Sequence, residues 1–292
     1  MNTIFEGTGV ALVTPFVGDK IDYDATKKII ENIIPGGAKA VAILATTGEG
    51  VTVSNAERRD FIKFCKEVIR GRVKLIVGTG NNNFQACLKN TRVAKQLGAD
   101  AVLVVTPYYN KTTQNGIVKY YEELAKVKIP IIMYNVPSRT GLMIELDTIE
   151  KIALENEYVV AIKESTTDIN RIIKLCKICK NKLAVYSGED GLNFLFYCLG
   201  AQGSISVTAN ILPSLVQKVF SLVKQNDLCG ALEYQTKLDP LNEALFCETN
   251  PIPIKYFMSL CGLMHEDVRM PLVPLSDKNK TKLQVLHSHY FK

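Results

Sequence analysis

The chain alternates short apolar runs with longer segments of helical period, and this alternation repeats about eight times before residue 225. Each run is nearly continuous in apolar residues, as in parallel strands that are buried on both faces. We predict strands at Gly9–Thr14, Ala40–Ala45, Lys74–Gly78, Ala101–Thr106, Ile131–Tyr134, Val159–Lys163, Ala184–Ser187 and Ser204–Thr208. Such alternation indicates a parallel α/β sheet with helical crossovers, either open or closed.

The segments between the runs have the end signals of helices. Predicted helices include Asp22–Ile34, Asn55–Ile69, Phe84–Leu97 and Ile169–Cys179. Asp22 and Ser54 stand where N-caps belong, and Glu57 three residues after Ser54 completes a capping-box pattern. Gly98 and Gly200 stand where helices end in a left-handed residue.

The number of units favours a closed sheet. Eight strand–helix units in roughly 220 residues match a (β/α)8 TIM barrel. An open sheet usually has fewer strands, and the dinucleotide fingerprint fails here because Asn83 stands at the third glycine position after Gly78 and Gly80. We predict a barrel over residues 1–225 and a docked C-terminal helical domain over residues 226–292, with helices at 227–246, 253–260 and 277–289.

Composition narrows the class of protein. Apolar residues make up 47% and charged residues 22% of the chain, as in soluble globular proteins. The net charge of +6 is scattered, and its densest stretch, Lys174–Lys182, fits a solvated helix face better than a nucleic-acid patch. The apolar runs are too short to cross a bilayer, and Met1–Phe16 lacks the pattern of a signal peptide. We expect a cytoplasmic protein with no membrane or nucleic-acid partner.

Cysteine and histidine positions give no redox or metal motif. Cys176 and Cys179 have the two-residue gap of a redox motif but lie within a helical pattern, away from a strand-to-helix turn. His287 and His289 could hold a metal, but a solvated tail explains them better. These positions therefore favour neither a redox role nor a metal site.

The chemistry should lie where the strands end, because barrel enzymes place their sites on the loops at the carboxyl ends of the strands. Lys163 ends the sixth run, and strand alternation places it on the same face as Ala161, opposite Ile162 and Glu164. An inward-facing lysine in a dry barrel is less readily protonated, so its amine can attack a carbonyl and form a Schiff base. A structural ion pair is the competing interpretation.

Other polar residues at the same rim suit that chemistry. Tyr134, Tyr109 and Thr46 lie at the carboxyl ends of the fifth, fourth and second runs, and their hydroxyls could relay protons. The tyrosines could equally form a lid over the barrel mouth, and Thr46 could be a helix cap. Arg139 could clamp a carboxylate or form a surface ion pair.

Several segments together resemble the dihydrodipicolinate synthase (4-hydroxy-tetrahydrodipicolinate synthase) family of the N-acetylneuraminate lyase and class I aldolase superfamily. The segments are Thr46–Glu49, Pro107–Asn110, Tyr134–Gly141, Ile162–Glu164, Ser187–Gly188, Gly203–Asn210 and Asn250–Lys255. They follow the family order along nearly the whole chain.

The resemblance implies the reaction and the role of each site residue. Lys163 would form a Schiff base with pyruvate, and the resulting enamine would attack aspartate semialdehyde on the diaminopimelate route to lysine. Tyr134, Thr46 and Tyr109 would relay protons, with Tyr109 acting in the neighbouring subunit of a homotetramer built as a dimer of dimers. The substrate-binding residues would be Thr47, Arg139, Gly188 and Ile205.

Two other functions are compatible with a barrel of this kind. The first is that of an N-acetylneuraminate lyase or keto-deoxy sugar acid aldolase, but Arg139 suits a short amino-acid aldehyde better than a polyhydroxy sugar. The second is a non-catalytic barrel that binds an oxo acid.

The resemblance also bears on feedback by lysine. Inhibitable family members line a cleft with polar residues, and the matching positions here are Gly50, Val51, Asn55, Arg58, Asn82, Ala86 and Tyr108. Ala86 stands where an acid would hold the lysine ammonium, and a buried cation without its partner costs several kcal/mol. We therefore expect weak or absent feedback by lysine.

Overall fold

The computed structural model describes residues 3–291 and contains a closed barrel of eight parallel strands. The strands are β1 (Gly7–Ala11), β2 (Ala40–Ile43), β3 (Lys74–Gly78), β4 (Ala101–Val105), β5 (Ile131–Asn135), β6 (Val159–Glu164), β7 (Ala184–Ser187) and β8 (Gly203–Ser206). Each strand pairs with its sequence neighbours, and β1 closes the barrel by pairing with both β2 and β8. The predicted (β/α)8 fold is confirmed.

Helices follow the strands around the barrel. They are α1 (Tyr23–Ile33), α2 (Asn55–Ile69), α3 (Phe84–Gln96), α4 (Gln114–Ala125), α5 (Pro137–Thr140), α6 (Leu146–Glu155), α7 (Ile169–Cys179), α8 (Asn193–Cys198) and α9 (Pro213–Lys224). Short 3-10 turns occupy Asp190–Leu192 and Thr208–Asn210.

The helix ends have the predicted physical causes. The Asp22 carboxylate caps α1 by accepting from the Ala25 amide, and Ser54 and Glu57 form the complete capping box of α2. Gly98 and Gly200 each directly follow the C-cap residue of a helix. Their φ angles are +80° and +88°, which a residue without a Cβ atom adopts at little cost.

Several strand bounds differ from the sequence prediction by one to three residues. The first and last barrel strands begin and end earlier than predicted, since residues 12–15 form no strand and Thr208–Asn210 forms a 3-10 turn. A short hairpin of Phe16–Val17 and Lys20–Ile21 also follows β1. Two-residue strands leave no detectable periodicity, so the sequence did not predict this hairpin.

Three further helices follow the barrel, namely α10 (Leu228–Ala244), α11 (Ile252–Leu260) and α12 (Asp277–Tyr290). α11 is buried from Ile252 to Met258, and its side chains join the same apolar core as the barrel. The division into a barrel over residues 1–225 and a helical domain over residues 226–292 stays a prediction. Residues 1, 2 and 292 lie outside the part of the chain that the structure describes. The packing of α11 matters for the site because it places a C-terminal segment against the barrel rim.

Candidate active site

Neighbouring strands bring the predicted lysine and tyrosine together. Tyr134 of β5 and Lys163 of β6 are register partners, and both side chains are about 95% buried. The Lys163 Nζ atom lies 4.5 Å from the centroid of the Tyr134 ring. A lysine side chain and a phenol in contact can both exchange protons with a substrate that binds next to them.

A glycine makes room for the lysine. A Cβ atom at Gly188 would lie 2.6 Å from Cε of Lys163 and 2.0 Å from Oγ of Ser165, which is closer than real Cβ contacts. The Gly188 amide donates to the Glu164 carbonyl at 2.8 Å, which ties β7 to the end of β6. Any larger residue at position 188 would push Lys163 from its place.

The outer faces of the same two strands form a buried polar network. The Asn135 amide donates to the Glu164 carboxylate at 2.7 Å, and Arg171 of α7 pairs with Glu164 at 3.1 Å. Burial raises the pKa of Glu164, and the charge of Arg171 opposes this shift. The residue after Tyr134 therefore bonds to the residue after Lys163, which fixes the two catalytic candidates relative to each other.

A cavity of about 270 Å³ opens beside these strands. Thr46, Tyr134, Arg139 and Tyr108 are among its lining residues. Lys163, Thr47, Tyr109, Gly188 and Ile205 are not among them. The cavity can hold a small substrate in contact with the predicted proton relay and the predicted carboxylate clamp.

Asn250 connects two of the predicted substrate-binding residues. Its side-chain amide donates to Thr47 Oγ1 at 3.0 Å, and its backbone carbonyl accepts from Arg139 Nη2 at 3.1 Å. Its Oδ1 atom is buried with no hydrogen-bond partner in the described chain, and Asn250 lines the cavity. A buried amide oxygen without a partner costs free energy, so it favours a ligand that donates a hydrogen bond there.

One predicted site residue, Tyr109, lies apart from this group within a single chain. Its side chain is 91% exposed. Ile205 is buried in β8, where the pairing of Ser204 with Ser187 places it next to Gly188. The single chain therefore brings Lys163, Tyr134, Thr46, Thr47, Arg139, Gly188 and Ile205 to the carboxyl ends of the strands, without Tyr109.

One more ionisable group lies close to the lysine. Burial raises the pKa of Glu189, the neighbouring Asp190 raises it further, and the charge of Lys163 opposes the shift. Glu189 directly follows Gly188 at the end of β7. Its carboxyl group adds a second acid–base candidate at the mouth of the barrel.

The described residues contain neither a metal-binding cluster nor a membrane-spanning helix. Within residues 3–291, no group of three or more His, Cys, Asp or Glu side chains is arranged to hold a metal ion. No helix in that same range is long and apolar enough to span a membrane.

The fold and the site define a class of protein. A (β/α)8 barrel with a buried lysine against a tyrosine at the carboxyl ends of its strands is the arrangement in which a class I aldolase-type lyase can form a Schiff base. The family then follows from comparison. The profile of the dihydrodipicolinate synthetase family matches residues 4–289, and the chain belongs to that family.

Individual relatives agree with this assignment. The 4-hydroxy-tetrahydrodipicolinate synthase of Thermoanaerobacter sp. (strain X514) is 42% identical over 98% of this chain and 97% of its own length. The crystal structure of dihydrodipicolinate synthase from Thermotoga maritima has a TM-score of 0.97 at 36% identity and covers 98% of this chain and 99% of that one. A chloride-inhibited dihydrodipicolinate synthase from Acinetobacter baumannii, complexed with pyruvate, has a TM-score of 0.94 at 39% identity and covers 97% of both chains.

These matches decide between the functions that the sequence left open. The predicted family and enzyme class are confirmed, and the synthase activity is favoured over the sugar acid aldolase and over a non-catalytic barrel. The roles of individual residues and the assembly of subunits remain predictions.

The sequence prediction missed the part that C-terminal residues play in the site. Asn250 contributed to the resemblance, but no role was predicted for it. Asn250 directly precedes a segment with two prolines, Pro251 and Pro253, and such a segment indicates a rigid loop that leads into a helix. That pattern could have suggested a role for Asn250.

Proposed function

We propose that this chain condenses pyruvate with L-aspartate 4-semialdehyde to give 4-hydroxy-tetrahydrodipicolinate on the diaminopimelate route to lysine. The observation that carries the proposal is the buried contact of Lys163 with Tyr134 beside a cavity that Arg139 also lines. The first measurement is consumption of the semialdehyde in the presence of pyruvate, followed through a coupled reductase.

The reaction would begin on Lys163. Its Nζ attacks the ketone carbon of pyruvate, and loss of water leaves a protonated imine. Loss of a methyl proton gives an enamine, whose carbon attacks the aldehyde carbon of the semialdehyde while the aldehyde oxygen takes up a proton. The substrate amino group then attacks the imine carbon, which closes the ring and releases the Lys163 amine.

Hydroxyl groups supply the proton transfers. Tyr134 is the principal donor and acceptor because it contacts Lys163 and lines the cavity. Thr46 lines the same cavity and continues the relay. We propose that Tyr109 completes it in the neighbouring subunit, since its side chain projects into solvent from its own chain.

Backbone and side-chain groups of four residues would hold the substrates. Thr47 binds the pyruvate carboxylate, with Gly188 and Ile205 offering backbone groups to the same pocket. Arg139 binds the carboxylate of the semialdehyde through its guanidinium, which the Asn250 carbonyl orients. Substituting Arg139→Ala should raise the KM for the semialdehyde and leave the KM for pyruvate near its original value.

The assembly we propose is a homotetramer, built as a dimer of dimers, in the cytoplasm, working without a metal or an organic cofactor. The exposed Tyr109 supports a shared site, because a proton-relay residue 91% exposed to solvent serves no purpose in its own subunit. Sedimentation of the purified chain tests the assembly. Cleavage of N-acetylneuraminate or of a keto-deoxy sugar acid, with no use of the semialdehyde, would contradict the proposed substrates.

A further inference from the structure

An ion pair is buried between the barrel rim and the C-terminal helices, beside the site but outside the mechanism. Lys255 of α11 is completely buried and pairs with the carboxylate of Glu49, which is 3% exposed. The Lys255 ammonium also donates to the Asp267 carbonyl at 2.8 Å and lies 4.1 Å from the centroid of the Phe16 ring. The Arg269 amide donates to the other Glu49 oxygen at 3.0 Å.

Such a pair is not explained by stability. Two charges removed from water lose their hydration, and apolar residues of similar volume usually stabilise a fold as well or better. Burial lowers the pKa of Lys255 to about 8, and the charge of Glu49 opposes the shift, as expected when an ammonium group loses its hydration. What the pair provides is a fixed position for the Glu49 backbone.

The Glu49 backbone belongs to the turn that carries Thr46 and Thr47. The Glu49 amide donates to the Thr46 carbonyl at 3.1 Å, and its φ of +49° lies in the left-handed region that residues with a Cβ rarely adopt. Thr14 Oγ1 donates to the Gly48 carbonyl at 2.7 Å. A turn with a strained residue needs an external contact to keep this conformation, and the Lys255 ammonium provides one.

The same C-terminal segment holds the turn at a second point. Asn250, which lies just before α11, donates to Thr47 Oγ1, while Lys255 inside α11 binds Glu49. α11 is buried from Ile252 to Met258, so the Lys255 contact is made from a rigid element and the Asn250 contact from the residues that lead into it.

We infer that Glu49 and Lys255 are positioning residues, which set the Thr46–Thr47 turn for pyruvate. The inference rests on the proposed function for the role of Thr47. Lys255 does not line the cavity, and both carboxylate oxygens of Glu49 are already bound, so the pair acts through the turn and not on the substrate.

The test uses three variants and one matched control. Glu49→Gln removes one charge, the double variant Glu49→Gln with Lys255→Met removes both, and Glu49→Asp keeps the charge on a shorter side chain. Glu57→Gln is the control, because Glu57 pairs with Arg269 beside the same Phe16 ring but caps α2 instead of holding the turn.

We expect the KM for pyruvate to rise about 10- to 100-fold in all three variants, the loss that a small misplacement of a binding group causes. The KM for the semialdehyde should stay unchanged. Glu49→Gln should lower the unfolding midpoint, because it leaves the buried Lys255 charge without a partner. The double variant should reverse most of this decrease, because it leaves no unpaired buried charge. Glu57→Gln should lose stability and keep the pyruvate KM of the unsubstituted enzyme.

A double variant with a recovered midpoint and an unaltered pyruvate KM would overturn the inference. If neither charge-removing variant folds, Glu49→Asp decides: a raised pyruvate KM supports positioning, and an unaltered KM refutes it. Formation of a borohydride-reduced pyruvate adduct by the unsubstituted enzyme is measured in parallel. Its absence would contradict the proposed function instead.

Discussion

The Lys163 ammonium lies 4.5 Å from the centroid of the Tyr134 ring because the two residues are register partners on adjacent parallel strands. On the reverse face, the next residue of each strand forms the 2.7 Å hydrogen bond from Asn135 to Glu164. The catalytic candidates thus have a rigid support in the second layer of the barrel, and their separation depends on strand pairing instead of loop conformation.

Removing the hydroxyl of Tyr134 tests the proton relay. Tyr134→Phe keeps the ring against Lys163 and should lower kcat about 100-fold or more, the usual contribution of a positioned acid–base group. Steady-state rates with pyruvate and the semialdehyde measure the effect. Tyr290→Phe is the matched control, because that hydroxyl donates to the Lys237 carbonyl between α12 and α10, away from the barrel strands, and should leave kcat unaltered. Equal losses in both variants would refute the relay.

Mixed subunits test whether Tyr109 acts on a neighbouring chain. Lys163→Ala and Tyr109→Phe chains should each be nearly inactive alone. Refolded together in equal amounts, they should regain activity at about one site in four, because half the symmetric pairs are mixed and each mixed pair has one complete site. Activity of the mixture equal to that of the separate variants would contradict action in trans.

The cavity also bears on feedback by lysine, because four of the seven predicted feedback positions, Gly50, Val51, Arg58 and Tyr108, line it. Among the described residues that line it, the only carboxylate is that of Glu49, and Lys255 and the Arg269 amide already occupy its oxygens. Arg58 donates to the Gly50 and Gly78 carbonyls and adds a positive charge. A bound lysine ammonium would therefore have no free anion as a partner. Initial rates over a lysine titration measure this, and half inhibition below 1 mM, i.e. a binding free energy beyond about −4 kcal/mol, would contradict it.

Acid should remove the contribution of the Glu57–Arg269 pair to stability. Hydrogen bonding from Arg269 is the largest cause that lowers the pKa of Glu57, to about 2. A lowered carboxyl pKa stabilises the folded state above the unfolded value near 4.5, and this stabilisation is lost as the pH falls from 4.5 toward 2.

The measurement is urea unfolding of the original chain and of Glu57→Gln. At pH 7 the variant should be less stable by about 2 kcal/mol, after allowance for the partial exposure of Glu57. The difference should shrink between pH 4.5 and pH 3. A difference that stays constant down to pH 3 would mean that the charge of Glu57 does not contribute.

The barrel was predictable because its signals are local. Apolar runs such as Ala101–Val105 are buried on both faces, so composition alone marks them, and caps such as Ser54 act within one helical turn. Strand alternation also placed Lys163 inward and Glu164 outward, where Glu164 pairs with Arg171 of α7.

Parts of the site depend on contacts that join distant segments of the chain. The Glu49–Lys255 pair and the Asn250–Thr47 hydrogen bond each cross about 200 residues, and no periodicity or motif spacing encodes such a contact. Tyr109 shows a related limit, because its side chain is 91% exposed and the role that we propose for it depends on contacts between chains.

Borohydride reduction in the presence of pyruvate tests the central claim most directly. Reduction fixes the imine as a stable secondary amine, and peptide mass spectrometry then locates the modified lysine. We predict one adduct, on Lys163, and loss of both adduct and turnover in Lys163→Ala. An adduct on another lysine such as Lys255, or turnover without any adduct, would contradict the account.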